Sequence, residues 1–328
     1  MKIIHAPLGR IPDNTQSHNY GYALTWHQRL EESKIVPDIT CILNSEIDTI
    51  YACQDASYID RINFFGGVSN TNRNNLYRYV YMSKLNTEIY SLDHDFSEII
   101  DILITRKDIQ EWLQHTSINQ EDLEELKTKV TTLQMQDLGF KEIIFGDSHT
   151  MAYSLPHQAI HRFDGMTLYS MIKDDAQPLI DRLRPAIDGI KKITLCLGSI
   201  DIRHHILRKE NYIAPEEFVE MYAKGLRAAE DELKVKITAC APVPVEYERR
   251  KLPKTGQYKK SNFYGHRNAR HDYTMKFIDA LIYHDILSIM PPVHWYEMDP
   301  YVYAQSIMEP VSSVHIGAHS YNSVVHWQ

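Results

Sequence analysis

Four consecutive residues, Gly146, Asp147, Ser148 and His149, bring a hydroxyl, a carboxylate and an imidazole together. They follow the apolar run Ile143-Ile144-Phe145, which reads as the end of a short buried strand broken by Gly146. A serine on a tight turn at the carboxyl end of such a strand is where an α/β fold exposes a nucleophilic hydroxyl. The same residues also read as an ordinary helix cap, because Asp and Ser favour that position. A second cluster lies in ITLCLGSIDIRHHI, residues 193–206. There an apolar strand ends, Gly198 turns the chain, and Asp201, Arg203, His204 and His205 crowd the exit. The third is VSSVHIGAHSYN, residues 311–322, with His315 in a polar turn. A serine hydroxyl becomes a nucleophile when a base such as an imidazole takes its proton, and these clusters carry both residue types.

Each of these residues has a second reading. Asp201 with Arg203 also fits a structural ion pair, and His315 also fits a hydrogen-bonded loop histidine. Asp147, His149, Asp201, His204, His205, His315 and His319 together could instead bind a divalent metal for phosphoester hydrolysis. Asp147 and His149 stand two residues apart, but no completed metal-ligand motif accompanies them.

The three clusters, in this order, resemble the SGNH (GDSL-like) hydrolase family over roughly residues 141–328. Gly146, Asp147 and Ser148 match its nucleophile turn. Gly198, Ser199, Ile200 and Asp201 partly match its Gly-x-Asn-Asp block, and His315 matches its C-terminal histidine. Gly165, in Phe163-Asp164-Gly165-Met166-Thr167, stands where the family has a glycine whose N–H serves the oxyanion hole. The resemblance implies a serine hydrolase or acyltransferase acting on an acyl ester without a cofactor. Its catalytic residues would be Ser148, His315 and Asp201, with Gly165, Gly198, Arg203, Asp147 and His149 forming the oxyanion and substrate-binding surroundings. The string GSIDIRHHI also resembles a subgroup in which Gly-x-Ile-Asp-x-Arg replaces the usual block. Two positions depart from the family. Ile200 stands in place of the oxyanion Asn, and loss of one such donor costs about 10²–10³ in rate; Arg203 is the candidate replacement. Ser312 stands where the family has the Asp that orients the histidine. That leaves a serine hydroxyl, a backbone carbonyl, Glu309 or Asp299 to hold His315. With both family residues missing, a degenerate hydrolase fold used as a binding module is the remaining alternative.

The elements that must position these residues follow from periodicity. Strands are expected at 143–145, 159–163, 193–197 and 235–241, with helices at 177–190, from Pro215 through Ala229, and at 268–284. Strands alternating with helices imply a doubly wound, mainly parallel α/β sheet, flavodoxin-like as in the SGNH fold, over residues 139–328. Residues 1–138 read as a separate N-terminal α/β domain of unassigned role, with a helical connector. Its expected strands lie at 2–4, 39–43, 49–53 and 88–92, with a further strand ending at Phe64-Phe65, and its helices at 20–30, 74–84, 107–115 and 119–134. Ser117 and Gln120 stand in capping-box spacing before the last helix. Gly66-Gly67 reads as a turn, since no GxGxxG or P-loop pattern accompanies it.

Composition narrows the class. The chain has 328 residues, 43% of them hydrophobic, and a formal net charge of −8, which argues against general nucleic-acid binding. A basic cluster from Arg249 to Lys260 reads as a solvated loop. Cys41, Cys53, Cys196 and Cys240 have no CxxC spacing, so structural zinc and a disulfide framework are not expected. The N-terminus shows no signal-peptide pattern and no apolar run reaches the roughly 18 residues of a membrane span. The expectation is therefore a cytoplasmic protein without membrane association, acting on a small-molecule or glycan ester. Tyr247, Tyr264, Trp295, Tyr296, Tyr301 and Tyr303, in late loops, are candidates for a platform under a sugar or a base.

Overall fold

A computed structural model describes residues 2–5, 88–91, 118–132, 139–155, 157–163, 165–247, 261–309 and 314–326, with isolated positions between 107 and 115. Several expected features lie outside the described residues: the strands at 39–43 and 49–53, the strand ending at Phe64-Phe65, the helices at 20–30 and 74–84, most of the helix at 107–115, the Gly66-Gly67 turn and the basic cluster. The chain divides into two units, one of residues 1–11 and 26–139, the other of residues 12–25 and 140–328.

The first unit contains a parallel sheet of β1 (Lys2–His5), β2 (Glu88–Ser91) and β3 (Val130–Thr132) in that order. Helix α1 (Gln120–Lys129) buries Leu123 and Leu126. Asn119 caps the helix: its side chain accepts from the Asp122 N–H, and the Asp122 carboxylate accepts from the Asn119 N–H, while Ser117 lies outside the described residues. The helix also stops at Lys129, because the β-branched run Val130-Thr131-Thr132 pairs with β2 instead of extending the helical stripe.

The second unit is an α/β layer structure. Its sheet runs β5 (Gln158–Arg162), β4 (Glu142–Gly146), β6 (Lys192–Cys196), β7 (Lys236–Cys240), β8 (Leu287–Met290), β9 (Val325–His326). The first five strands are parallel and β9 is antiparallel to β8. Ile143, Ile144 and Phe145 of β4 have no exposed surface, as strands covered on both faces require. The covering helices are α2 (Thr150–Tyr153), α3 (Leu168–Ile172), α4 (Gln177–Leu183), α5 (Ser199–His204), α6 (Pro215–Leu233), α7 (Arg267–Tyr283), α8 (Val293–Glu297) and α9 (Pro300–Ser306). Pro215 opens α6, and Phe218, Tyr222, Gly225 and Ala229 form its buried stripe. Phe218 meets Phe277 of α7 with ring centroids 5.8 Å apart. The expected helix at 177–190 ends early: Pro185 cannot donate to the ladder, and the chain tightens into a 3-10 turn at Arg184–Ala186. Among the described residues no helix is long and apolar enough to cross a membrane.

The strand order matters for the site. The chain leaves β4 in one direction to form β5, then returns past β4 to form β6. With right-handed crossovers the two connections lie on opposite faces of the sheet, which opens a crevice at the carboxyl ends of β4 and β6. The turns bearing Ser148 and Gly198 both leave the sheet there.

Candidate active site

The Ser148 turn is built by close approach of two strands. Gly146 pairs with Cys196, and the next N–H, of Asp147, donates to the Cys196 carbonyl at 3.1 Å. A β-carbon on Gly146 would fall 2.1 Å from that carbonyl oxygen, so only glycine fits. Asp147, fully buried, closes the turn: its Oδ1 accepts from the His149 N–H at 2.8 Å, and its carbonyl accepts from the Thr150 N–H and hydroxyl. This Asx turn leaves Ser148 half-buried at the apex. Asp147, expected among the oxyanion and substrate-binding residues, shapes the turn that carries Ser148.

His315 comes to the serine from the far end of the chain. A short bridge between Met308 and Ile316, with the Glu309 N–H donating to the His315 carbonyl, closes the loop that carries it. Its Nε2 lies 2.6 Å from Ser148 Oγ. With Nε2 unprotonated, the hydroxyl donates to it. The same bridge sets Glu309, almost fully buried, with a carboxylate oxygen 3.9 Å from His315 Nδ1. That is an ion-pair distance, one small rotation or one water from a hydrogen bond. Among the described carboxylates proposed to orient the histidine, Glu309 is the one placed against His315. Asp299 is not: its Oδ1 caps α9 by accepting from Tyr301 and Val302 N–H groups. Ser312 lies outside the described residues.

Asp201, expected among the catalytic residues, is placed at the start of α3. Its two carboxylate oxygens accept the N–H groups of Leu168 and Tyr169, at 2.7 and 3.0 Å, and so hold the first turn of α3. Burial pushes this carboxyl up to about 6, against the N–H groups of Tyr169, Leu168 and Asp201 itself, which lower it. By holding α3, Asp201 also fixes the loop that carries Gly165. That loop begins beside the nucleophile turn, because the Phe163 N–H donates to the Gly146 carbonyl at 2.7 Å. Among the described residues the N–H groups of Ser148 and Gly165 donate to nothing. Gly165 and Gly198 both have positive φ, +80° and +102°, and Gly198 turns the chain from β6 into α5.

Arg203 is not paired with Asp201, as the structural alternative had it. Its Nε donates to Glu246 at 3.1 Å, and its Nη1 reaches the Ser199 carbonyl and His149 Nε2, each at 3.3 Å. His149 in turn lies against His315, with ring centroids 5.1 Å apart. Glu246 is the residue the sequence reading missed. It is the first acid after β7, in APVPVEYERR, fully buried, and its Oε1 accepts no hydrogen bond among the described residues. Burial alone would raise its carboxyl, but Arg203, its own backbone N–H and Arg270 outweigh that and leave it lowered. The signal available in sequence was an acid placed directly after an apolar strand exit on the sheet edge that carries the other polar clusters.

The residues that suggested a metal do not gather. His204 bonds the Asn262 carbonyl, and burial followed by the Arg203 charge lowers it to about 4. His319 bonds the Ser306 carbonyl. Among the described residues no three His, Cys, Asp or Glu side chains are grouped to hold an ion. Of the expected aromatic platform, Trp295, Tyr296 and Tyr303 are buried packing residues, and Tyr296 donates to the Pro242 carbonyl. Tyr301 and Tyr264 are exposed, and Tyr247 meets Tyr301 edge to face at 5.7 Å.

No family model matches this chain, and no curated protein matches it in sequence. Among solved structures, Est24, a carbohydrate acetylesterase from Sinorhizobium meliloti, is similar over 56% of this chain and 93% of its own, at 13% identity and a TM-score of 0.36. An acetyl xylan esterase, AlAXEase, is similar over 45% of this chain and 76% of its own, at 13% identity and a TM-score of 0.28. At that level of likeness the activity has to be argued from the site itself.

Proposed function

We propose that residues 139–328 form a serine hydrolase of the SGNH type that cleaves acyl esters of small molecules or glycans, with Ser148 as nucleophile and His315 as base. The observation that carries this reading is the 2.6 Å approach of His315 Nε2 to Ser148 Oγ, across 167 residues of sequence. A turn serine and a loop histidine have no structural need of one another, whereas acyl transfer needs that pair.

In this mechanism His315 Nε2 takes the hydroxyl proton as Ser148 Oγ bonds to the ester carbonyl carbon. The carbonyl electron pair moves onto oxygen, where the uncommitted N–H groups of Ser148 and Gly165 receive the negative charge. Collapse of the tetrahedral intermediate breaks the bond to the alcohol oxygen, which leaves with the proton from His315. Water then repeats the sequence on the acyl-serine and releases the acid. Glu309 faces the imidazolium formed in both halves, which takes the part of the missing family Asp. Arg203 acts from behind His149 rather than as the oxyanion donor itself.

The test is turnover of p-nitrophenyl acetate by the purified protein with and without a chelator. Hydrolysis above background that survives chelation is expected. Turnover abolished by chelation and restored by a divalent metal would favour metal-assisted chemistry, and no turnover on any short acyl ester would favour a binding module.

A further inference from the structure

We propose that Glu246 is a positioning residue of this site: it balances the charge of Arg203, whose Nη1 holds His149 in the neutral form that lies against His315. The inference rests on the Ser148–His315 reading and adds the electrostatic support behind it.

The geometry forms one continuous chain from Glu246 through Arg203, His149 and His315 to Ser148. A guanidinium has donors only and stays charged. His149 Nε2 must therefore accept from Arg203 Nη1, which places the proton of that imidazole on Nδ1 and makes the ring neutral. Protonating His149 would set two cations 3.3 Å apart in a buried site, so the ring stays neutral. His315 thus becomes an imidazolium beside a neutral ring, with the Arg203 guanidinium one imidazole further away. That cation is tolerable only because Glu246 cancels it. Glu246 is suited to this, since Arg203 and Arg270 keep its buried carboxyl ionised.

The other groups around His315 complete the balance. Glu309 faces Nδ1 directly. Tyr321 and Arg162 lie within electrostatic reach of one another, and Tyr321 of Glu309. Asp147 holds the backbone N–H of His149. His204, the remaining titratable group against Arg203, is held neutral by burial and by that guanidinium.

The experiment reads the rate at which an uncharged fluorophosphonate ester modifies Ser148 between pH 5 and 9, in the wild type and in two variants with opposite charge effects. Glu246→Gln leaves Arg203 uncompensated and disfavours the imidazolium, so the acidic limb of the profile should move down by about one pH unit and the plateau should fall roughly tenfold. Arg203→Gln leaves an unbalanced carboxylate instead, so the limb should move up by a similar amount. Opposite shifts are the expected result, and either variant alone is decisive if the other fails to fold. Unmoved limbs, or equal losses that follow the folded fraction in thermal unfolding, would overturn the inference while leaving the Ser148–His315 pair standing. Absence of labelling in the wild type would instead remove the reading on which it rests.

Discussion

Replacing Ser148 by alanine is expected to lower ester turnover at least about 10³-fold while leaving the fold intact. The hydroxyl carries the whole covalent route in the proposed mechanism, so nothing else in the site can form the acyl intermediate. Its structural share is small. The side chain is half-buried at the apex of a turn that Asp147 and Gly146 hold through backbone and carboxylate contacts. Loss of one partly exposed hydrogen bond costs about 1 kcal/mol. Rates on p-nitrophenyl acetate at matched folded concentration, together with a melting curve, check both halves. Equal turnover by variant and wild type would reject Ser148 as nucleophile.

The second large effect is expected from Gly146→Ala, and it is a structural one. The added methyl group would meet the Cys196 carbonyl at 2.1 Å, with the Cys196 carbonyl carbon at 2.7 Å behind it. Both contacts are to backbone, so no side-chain rotation relieves them. β4 and β6 must separate at the point where the nucleophile turn leaves the sheet. Overpacking in a well-packed core costs about 1–3 kcal/mol, and a backbone clash between paired strands belongs at or above the top of that range. Thermal unfolding should shift down by several degrees, with turnover lost even where the protein stays folded. A variant with wild-type melting and turnover would mean that the strands are not held as closely as described.

The sheet and the Ser148 turn were legible in the sequence because short apolar runs bounded by glycine have few other structural solutions. Ile143-Ile144-Phe145-Gly146 and Ile193 to Gly198 are cases of this, and the structure places both as neighbouring parallel strands. Boundaries were less legible. Hydrophobic spacing runs on through Val130, but strand pairing with β2 ended α1 first. Pro185 ended α4 in the same local way.

The site was legible in part for a physical reason. Ser148 and His315 are residue types whose proposed chemistry can be read from identity alone. Asp201 and Glu246 differ only in what surrounds them. Asp201 faces two N–H groups at the start of α3, and Glu246 faces a buried guanidinium. No spacing rule distinguishes a carboxylate that holds a helix from one that balances a charge. The aromatic residues show the same limit: Trp295 and Tyr303 look alike in sequence to Tyr301, yet only Tyr301 of the three is exposed.

The central claim is that Ser148, activated by His315, is the residue that takes the acyl group. It is tested most directly by treating the protein with a fluorophosphonate ester, weighing the intact chain, and mapping the modified peptide. One adduct per chain on Ser148, formed at a rate that collapses in His315→Ala, is the predicted result. No adduct, an adduct on another residue, or labelling of Ser148 that is indifferent to His315 would contradict it.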